Sequence, residues 1–197
     1  LAIADVAEKG AGAALYMALG RTLIRTYARA YPDQPEMVLS MTNRHMLEDT
    51  PADLFITAFY GVLDPATGVL TYCNAGHNPP LLFSAEPSDT GVQVQFLPRT
   101  GILLGVTRDS QWHAAQVTLH AGDTLLCYTD GITEARDAND DLFGVDRLIA
   151  LARTHLTTSA THLCQAILDR VDGFVGDAPQ EDDITLLITK RERGPAA

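Results

Sequence analysis

The chain reads as an α+β protein built on antiparallel sheets. Short runs rich in β-branched and aromatic residues follow one another across Gly- and Pro-containing turns. Helical patterns come in two pairs rather than singly between strands, which argues against a doubly wound parallel sheet. Of the 197 residues, 46% are hydrophobic and 20% charged, enough apolar surface for a sizeable core in one domain.

Leu1 to Val6 reads as the end of a buried strand entering the turn Glu8-Lys9-Gly10. From Ala11 to Ala30 a long helix is expected, with Leu15, Leu19, Leu23 and Tyr27 as its apolar stripe. Pro32 and Pro35 interrupt it, and a second helix runs to about Asp49 with Val38, Met41 and His45 on one side. Leu54–Leu63 and Val69–Asn74, joined by Asp64-Pro65-Ala66-Thr67-Gly68, form a hairpin. Further strands are expected at Leu81–Ser84, Val92–Leu97, Gln116–Leu119, Thr124–Tyr128 and Ile184–Thr189. Helices fit Val145–His155 and Ser159–Phe174, the latter with Leu163, Ile167, Val171 and Phe174 on one face. Residues 191–197 read as a frayed C-terminal tail.

Fourteen Lys and Arg against 25 Asp and Glu give a net charge of −11, which repels nucleic acid and anionic membranes and favours cations and basic protein surfaces. Cys73, Cys127 and Cys164 lie in apolar stretches without C-x-x-C spacing, the pattern of buried thiols in a reduced, cytoplasmic chain. The apolar segment Ala11–Gly20 stops at Arg21, well short of the ~20 residues that span a bilayer, and no secretory signal is read. The start at Leu1 reads as that of a fragment whose upstream part is missing.

Three acidic positions stand at the edges of strand-like runs: Asp5 after Leu1–Ala4, Asp130 after Leu125–Thr129, and Asp182 or Asp183 before Ile184–Ile188. Carboxylates gathered from three strand ends repel one another unless a cation neutralises them, and all-oxygen ligation suits Mg²⁺ or Mn²⁺. Taken singly, each Asp has the plainer role of capping or turning the chain.

The residues around these positions carry a resemblance. Asp5–Gly10 with Ala13-Ala14-Leu15, Asn74–Leu82, Gly101 with Leu104-Gly105, Gly122-Asp123, Tyr128–Gly131 with Glu134-Ala135, and Asp182–Thr185 follow in order and spacing. The chain resembles, over nearly its whole length, the SpoIIE/RsbU-type branch of the bacterial PPM (type 2C-like) metal-dependent protein phosphatases. That resemblance implies a β-sandwich of two antiparallel sheets flanked by helices, in α-β-β-α layers, over residues 1–190. It implies two Mg²⁺ or Mn²⁺ ions, with Asp5 bridging both, the Val6 carbonyl on one, and Asp130 and Asp182 on the other. Asp183 stands beside them as the weaker candidate. Such ions activate water for in-line hydrolysis of phosphoserine or phosphothreonine without a phosphoenzyme. The implied partners are a phosphorylated STAS-type anti-sigma-factor antagonist as substrate and an upstream sensor domain.

Two departures from the family pattern stand out. A Gly-Gly-Asp-like segment expected ahead of the Asp5 strand lies outside the sequence, so the first strands are expected to be missing. An edge left open in this way invites pairing with another chain, as in a homodimer. Glu8 occupies a position where many relatives carry Gly; it either repels phosphate or joins the outer shell of a cation.

Other residues leave alternatives open. His77, in the loop Ala75–Pro80, is a candidate acid or base, with a backbone hydrogen bond as the favoured plain reading. Lys9 either touches phosphate or solvates its turn, and Glu134 either orients the Asp130 turn or is merely exposed. Gly131 reads as permitting the tight turn that aims Asp130, and Thr129 as ordinary strand sequence. Arg21, Arg25 and Arg29 share a helix face that either docks an acidic partner or is simply solvated. The remaining histidines lack zinc-ligand spacing, and there is neither a G-x-S-x-G nor a Cys-x₅-Arg loop. Gly10-Ala11-Gly12 lacks the third glycine of a dinucleotide loop, Leu15 standing there. The reading from another class is a catalytically silent binding module on the same scaffold.

Overall fold

The computed structural model describes residues 1–49, 54–88 and 91–192. In chain order the elements are β1 (Ala2–Val6), α1 (Ala11–Ala30), α2 (Pro35–Asp49), β2 (Ile56–Leu63), β3 (Val69–Ala75), β4 (Leu81–Ser88), β5 (Gly91–Phe96), β6 (Ala115–Thr118), β7 (Thr124–Tyr128), α3 (Asp130–Thr133), α4 (Gly144–Thr154), α5 (Ala160–Val175) and β8 (Leu186–Lys190). Contacts gather them into two compact units: Leu1–Pro79 with Pro98–Thr118, and Pro80–Leu97 with Leu119–Ala197. Of the expected tail, residues 193–197 lie outside the described residues.

The first unit holds an antiparallel sheet in the order β1-β2-β3-β6. The β2–β3 hairpin closes as its turn chemistry demands: Asp64 Oδ1 accepts from the Ala66 amide at 2.9 Å, and Gly68 takes a positive φ of 80°. Helices α1 and α2 pack against this sheet around Tyr16, Ile24, Leu39, Met46 and Ile56. The expected stripe of α1 is corrected here. Ala13, Tyr16, Gly20 and Ile24 face inward, whereas Leu15 is 73% exposed and Leu19, Leu23 and Tyr27 lie at the margin. At 3.6 residues per turn, residues spaced by four drift about 40° per step, so a long i+4 series leaves the buried face. Gly20 lies on the docked face, where a Cβ would stand 2.7 Å from Ile56 Cδ1, so the helix comes close to β2 there. On α2 the buried positions are Pro35, Val38, Leu39, Thr42, Asn43 and Met46, with Met41 and His45 only partly covered.

Asn43 is 1% exposed and ties down the long connection that leads to β6. Its amide donates to the Thr107 carbonyl at 2.9 Å and its oxygen accepts from the Gly105 amide at 2.8 Å. Gly105 takes a φ of +89° against Tyr16, and Gly101 lies where a Cβ would be 2.4 Å from the Trp112 ring. The glycines of this motif therefore serve packing.

The second unit carries a sheet in the order β5-β4-β7-β8, also antiparallel. Strand β7 is buried at every position. Helices α4 and α5 cover this sheet through Leu148, Ala152, Leu163, Ile167 and Val171, and Phe174 packs at the margin, as expected for α5. Ser159 caps α5 by accepting from the His162 amide at 3.2 Å. Asp123 is 2% exposed, its carboxylate accepting from the amides of Ala85 and His120 at 2.8 and 2.7 Å, so the Gly122-Asp123 motif builds a turn. Cys73 and Cys127 are buried free thiols, while Cys164 is only partly covered.

Candidate active site

Two of the expected acidic positions meet at one end of the second unit. Strand β7 finishes at Tyr128, and α3, an element the sequence did not announce, begins at Asp130. Between them Thr129 is 1% exposed and works as a clip. Its hydroxyl donates to the Asp183 carbonyl at 3.0 Å and accepts from the Thr185 amide at 2.9 Å. Its own amide donates to the Thr185 carbonyl at 3.1 Å. Thr129 is thus no ordinary strand residue: one side chain locks the 183–185 segment onto the end of β7.

Gly131 allows the closeness of this join. A Cβ on it would stand 2.4 Å from the Asp183 carbonyl oxygen and 3.3 Å from the Asp182 carbonyl carbon. Its φ is not positive, so the expected turn-permitting role is corrected to one of close backbone approach. The Asp130 carbonyl accepts from the Glu134 amide at 2.7 Å, while the Glu134 side chain is exposed.

The Asp130 carboxylate oxygen Oδ1 is buried and accepts no hydrogen bond. Asp182 is partly buried, its Oδ1 accepting from the Asp183 amide at 2.9 Å and its carbonyl from Gln180 Nε2 at 2.7 Å; the Asp183 side chain is exposed. Beside them opens a cavity of about 720 Å³ whose lining includes Gly131, Glu134, Asp169, Asp172, Glu181 and Asp182, with Arg136 as its cation. Such a wall attracts cations and repels an unaccompanied phosphate. Among the described residues no three His, Cys, Asp or Glu side chains form a ready-made metal cage, so the case for an ion rests on the surroundings of Asp130.

Asp5 and Val6 belong to the other unit, in the last two positions of β1. Asp5 pairs with Thr57 on β2. Thr57 Oγ1 lies 3.5 Å from the Asp5 carbonyl, to which it donates, and 2.8 Å from His77 Nδ1. A hydroxyl has one proton, so a Thr57 that donates to Asp5 accepts from a protonated His77 Nδ1. His77 is 2% exposed, and its amide donates to Asn74 Oδ1 at 2.8 Å. The ring thus meets a side chain on the strand opposite Asp5, not the backbone of its own loop as the plain reading expected. Glu8 is exposed with a φ of 72°, and Lys9 is exposed. Arg21, Arg25 and Arg29 are all exposed.

Two antiparallel sheets, each with its helix pair, and aspartates at strand tips make a protein of the PP2C-type phosphatase fold. Over 96% of its length the chain is similar to the SiaA PP2C domain of Pseudomonas aeruginosa, with a TM-score of 0.79, 22% identity and 73% of that chain covered. Over 97% it is similar to the RsbU and RsbW domains of Rv1364c from Mycobacterium tuberculosis, with a TM-score of 0.78, 28% identity and 51% covered. Residues 1–192 match the family model described as Stage II sporulation protein E (SpoIIE), and the chain belongs to that family. Among curated proteins it is 31% identical over 195 residues to the phosphoserine phosphatase RsbU of Bacillus subtilis, a match spanning 98% of this chain. The chain spans 55% of the length of that relative and 33% of a longer one. The α+β class and the family resemblance read from the motifs are both borne out.

Proposed function

We propose that this chain is a metal-dependent phosphoprotein phosphatase acting on phosphoserine or phosphothreonine, with residues 1–190 working as one catalytic domain ahead of the 191–197 tail. The observation that carries the reading is the buried, unpartnered Oδ1 of Asp130 beside the Asp182 segment. A carboxylate oxygen held from water without a donor is unfavourable, and a divalent cation is the partner that suits it. The oxygen-only chemistry of the ligand set fits Mg²⁺ or Mn²⁺.

In this proposal Asp5, the Val6 carbonyl, Asp130 and Asp182 hold two ions. Bound there, the ions would supply an activated water and neutralise charge on the phosphoryl group. The chain's own residues do the positioning. Thr129 fixes the 183–185 segment, Gly131 lets Asp130 sit against it, and the Thr57 hydroxyl steadies the Asp5 backbone with His77 behind it.

A phosphorylated STAS-type anti-sigma-factor antagonist is the proposed substrate, in a cytoplasmic partner-switching pathway of sigma-factor control. An upstream sensor domain is the proposed regulator, and pairing of two copies the proposed assembly. Support comes from the RsbU relative, named a phosphoserine phosphatase, and from Rv1364c, solved with RsbU and RsbW domains. No described helix is long and apolar enough to cross a membrane.

The test is phosphate release from a phosphoserine STAS protein with Mn²⁺ and with EDTA. Mn²⁺-dependent turnover lost in Asp130→Asn, with circular dichroism unchanged, supports the reading. Turnover that is indifferent to Mn²⁺ or to this substitution overturns it.

A further inference from the structure

The sheet of the second unit ends on β5, which pairs with β4 on one side and, among the described residues, with no strand on the other. A strand in that position offers a row of N–H and C=O groups to any extended chain that reaches it, and sheet proteins commonly blunt it with charge, proline or a bulge. Strand β5 carries none of these from Val92 to Phe96. The sequence there is Val-Gln-Val-Gln-Phe, and the irregularity of the β4–β5 pair, between Phe83 and Pro87, falls on β4. Arg153 approaches the strand, donating from Nη2 to the Val92 carbonyl at 3.2 Å, which leaves that oxygen a second lone pair.

The register fixes which groups face outward. The Leu97 amide donates to the Pro80 carbonyl at 2.9 Å, so Leu97 is turned towards β4. Alternation along an antiparallel strand then turns the amides and carbonyls of Phe96 and Val94 away from it. Side chains alternate as well. Val92 and Val94 pack at the margin of the helix-covered core, and Phe96, on that same face, is 47% exposed. Gln93 and Gln95 belong to the opposite face and are exposed.

The order of these residues identifies the occupant. Read in either direction from Val94, the strand gives a glutamine and then an apolar residue. Two copies laid antiparallel about Val94 therefore set apolar against apolar and amide against amide, the self-complementarity that a twofold interface requires. The other three sheet margins lack it. Centred in the same way, β1 opposes Ile3 to Asp5, β6 opposes Gln116 to Val117, and β8 opposes Leu186 to Lys190. Charge favours the same choice. A chain of net charge −11 repels its own copies, and β5 is an uncharged stretch along which they can meet.

We infer that the free side of β5 is a self-association surface, through which two copies of this chain pair antiparallel about a twofold axis at Val94. Val94 of each copy exchanges both backbone hydrogen bonds with its counterpart, Val92 does so with Phe96 of the second copy, and the two sheets become one. Phe96 lies beside Val92 of the second copy, an aromatic and β-branched pair, and Gln93 meets Gln95 on the other face. The seam lies within one unit and is independent of the phosphatase reading; it supplies the surface for the pairing of two copies proposed above.

Sedimentation equilibrium of this chain from about 10 µM to about 1 mM tests the inference, since a seam this small makes a weak pair. A monomer–dimer equilibrium is expected. Gln93→Lys combined with Gln95→Lys should weaken it about tenfold, because lysines then oppose lysines, even though the chain becomes less negative overall. Gln93→Glu combined with Gln95→Glu should do the same, and an equimolar mixture of the two variants should pair more tightly than either alone. These side chains are exposed, so folding, checked by circular dichroism, is preserved. A chain that stays monomeric up to about 1 mM, association untouched by the lysine pair, or a mixture no tighter than its components would overturn the inference. Phosphate release has no part in these outcomes, so the phosphatase reading stands or falls separately.

Discussion

Glu8 holds a φ of 72°, a left-handed conformation that costs an L-residue about 1–2 kcal/mol. Glycine escapes that cost and returns part of it as chain entropy in the unfolded state. Glu8→Gly should therefore raise the unfolding free energy by about 0.5–1 kcal/mol, read from the urea midpoint. At Gly131 the sign reverses. An alanine Cβ would press on the backbone carbonyl of Asp183, which Thr129 pins and which cannot swing aside as a flexible side chain does. Gly131→Ala should lose about 1–3 kcal/mol of stability and weaken Mn²⁺ binding, measured by urea unfolding and by Mn²⁺-dependent thermal shift. The sequence displayed Asp130 and Asp182 plainly, because acidic residues at the ends of apolar runs are visible in one dimension. It concealed Thr129, whose bonding partners lie 54 and 56 positions away.

At the level of elements, α1 shows where periodicity misleads and α5 where it holds. Leu163, Ile167, Val171 and Phe174 are spaced by four, four and three, which keeps them on one face; the uniform fours of Leu15 to Tyr27 wind off it. Leu15→Gln should leave stability within about 0.5 kcal/mol, whereas Ile24→Ala should cost about 2–5 kcal/mol, both from denaturant unfolding. The buried strands β3 and β7 make their own prediction. Desolvation raises the thiols of Cys73 and Cys127 from 9.0 to about 12. The unfolded chain releases these protons near 9 while the folded chain keeps them, so this contribution is intact below pH 9 and disappears as pH climbs towards 12. At pH 8 a thiol reagent should label Cys164 alone in the native protein, and all three cysteines in urea; rapid native labelling of Cys127 would contradict the buried β7.

For the molecule as a whole, the chain changes unit three times, after Pro79, Leu97 and Thr118, so neither unit is a continuous stretch. The sequence made the hairpins and the paired helices readable because those are local. The β3–β6 and β4–β7 pairings join residues 41 to 49 positions apart, and no local pattern announces them. Net charge belongs to this scale as well: at −11, gathering carboxylates into a folded chain is self-repulsive, and bound divalent cations relieve it. Mn²⁺ at a hundred times its dissociation constant should stabilise the native state by about 2.7 kcal/mol, an increment removed by EDTA and absent in Asp130→Asn. Differential scanning calorimetry checks it.

Strand β1 has β2 on one side and, among the described residues, no strand on the other. Every second amide and carbonyl along that free margin is therefore open to whatever polypeptide lies alongside, and the same five residues carry Asp5. Under the metal centre proposed above, a neighbour zipped onto this margin would stiffen the ribbon under that aspartate and one peeling away would slacken it, so occupancy of a backbone seam would be legible as metal affinity.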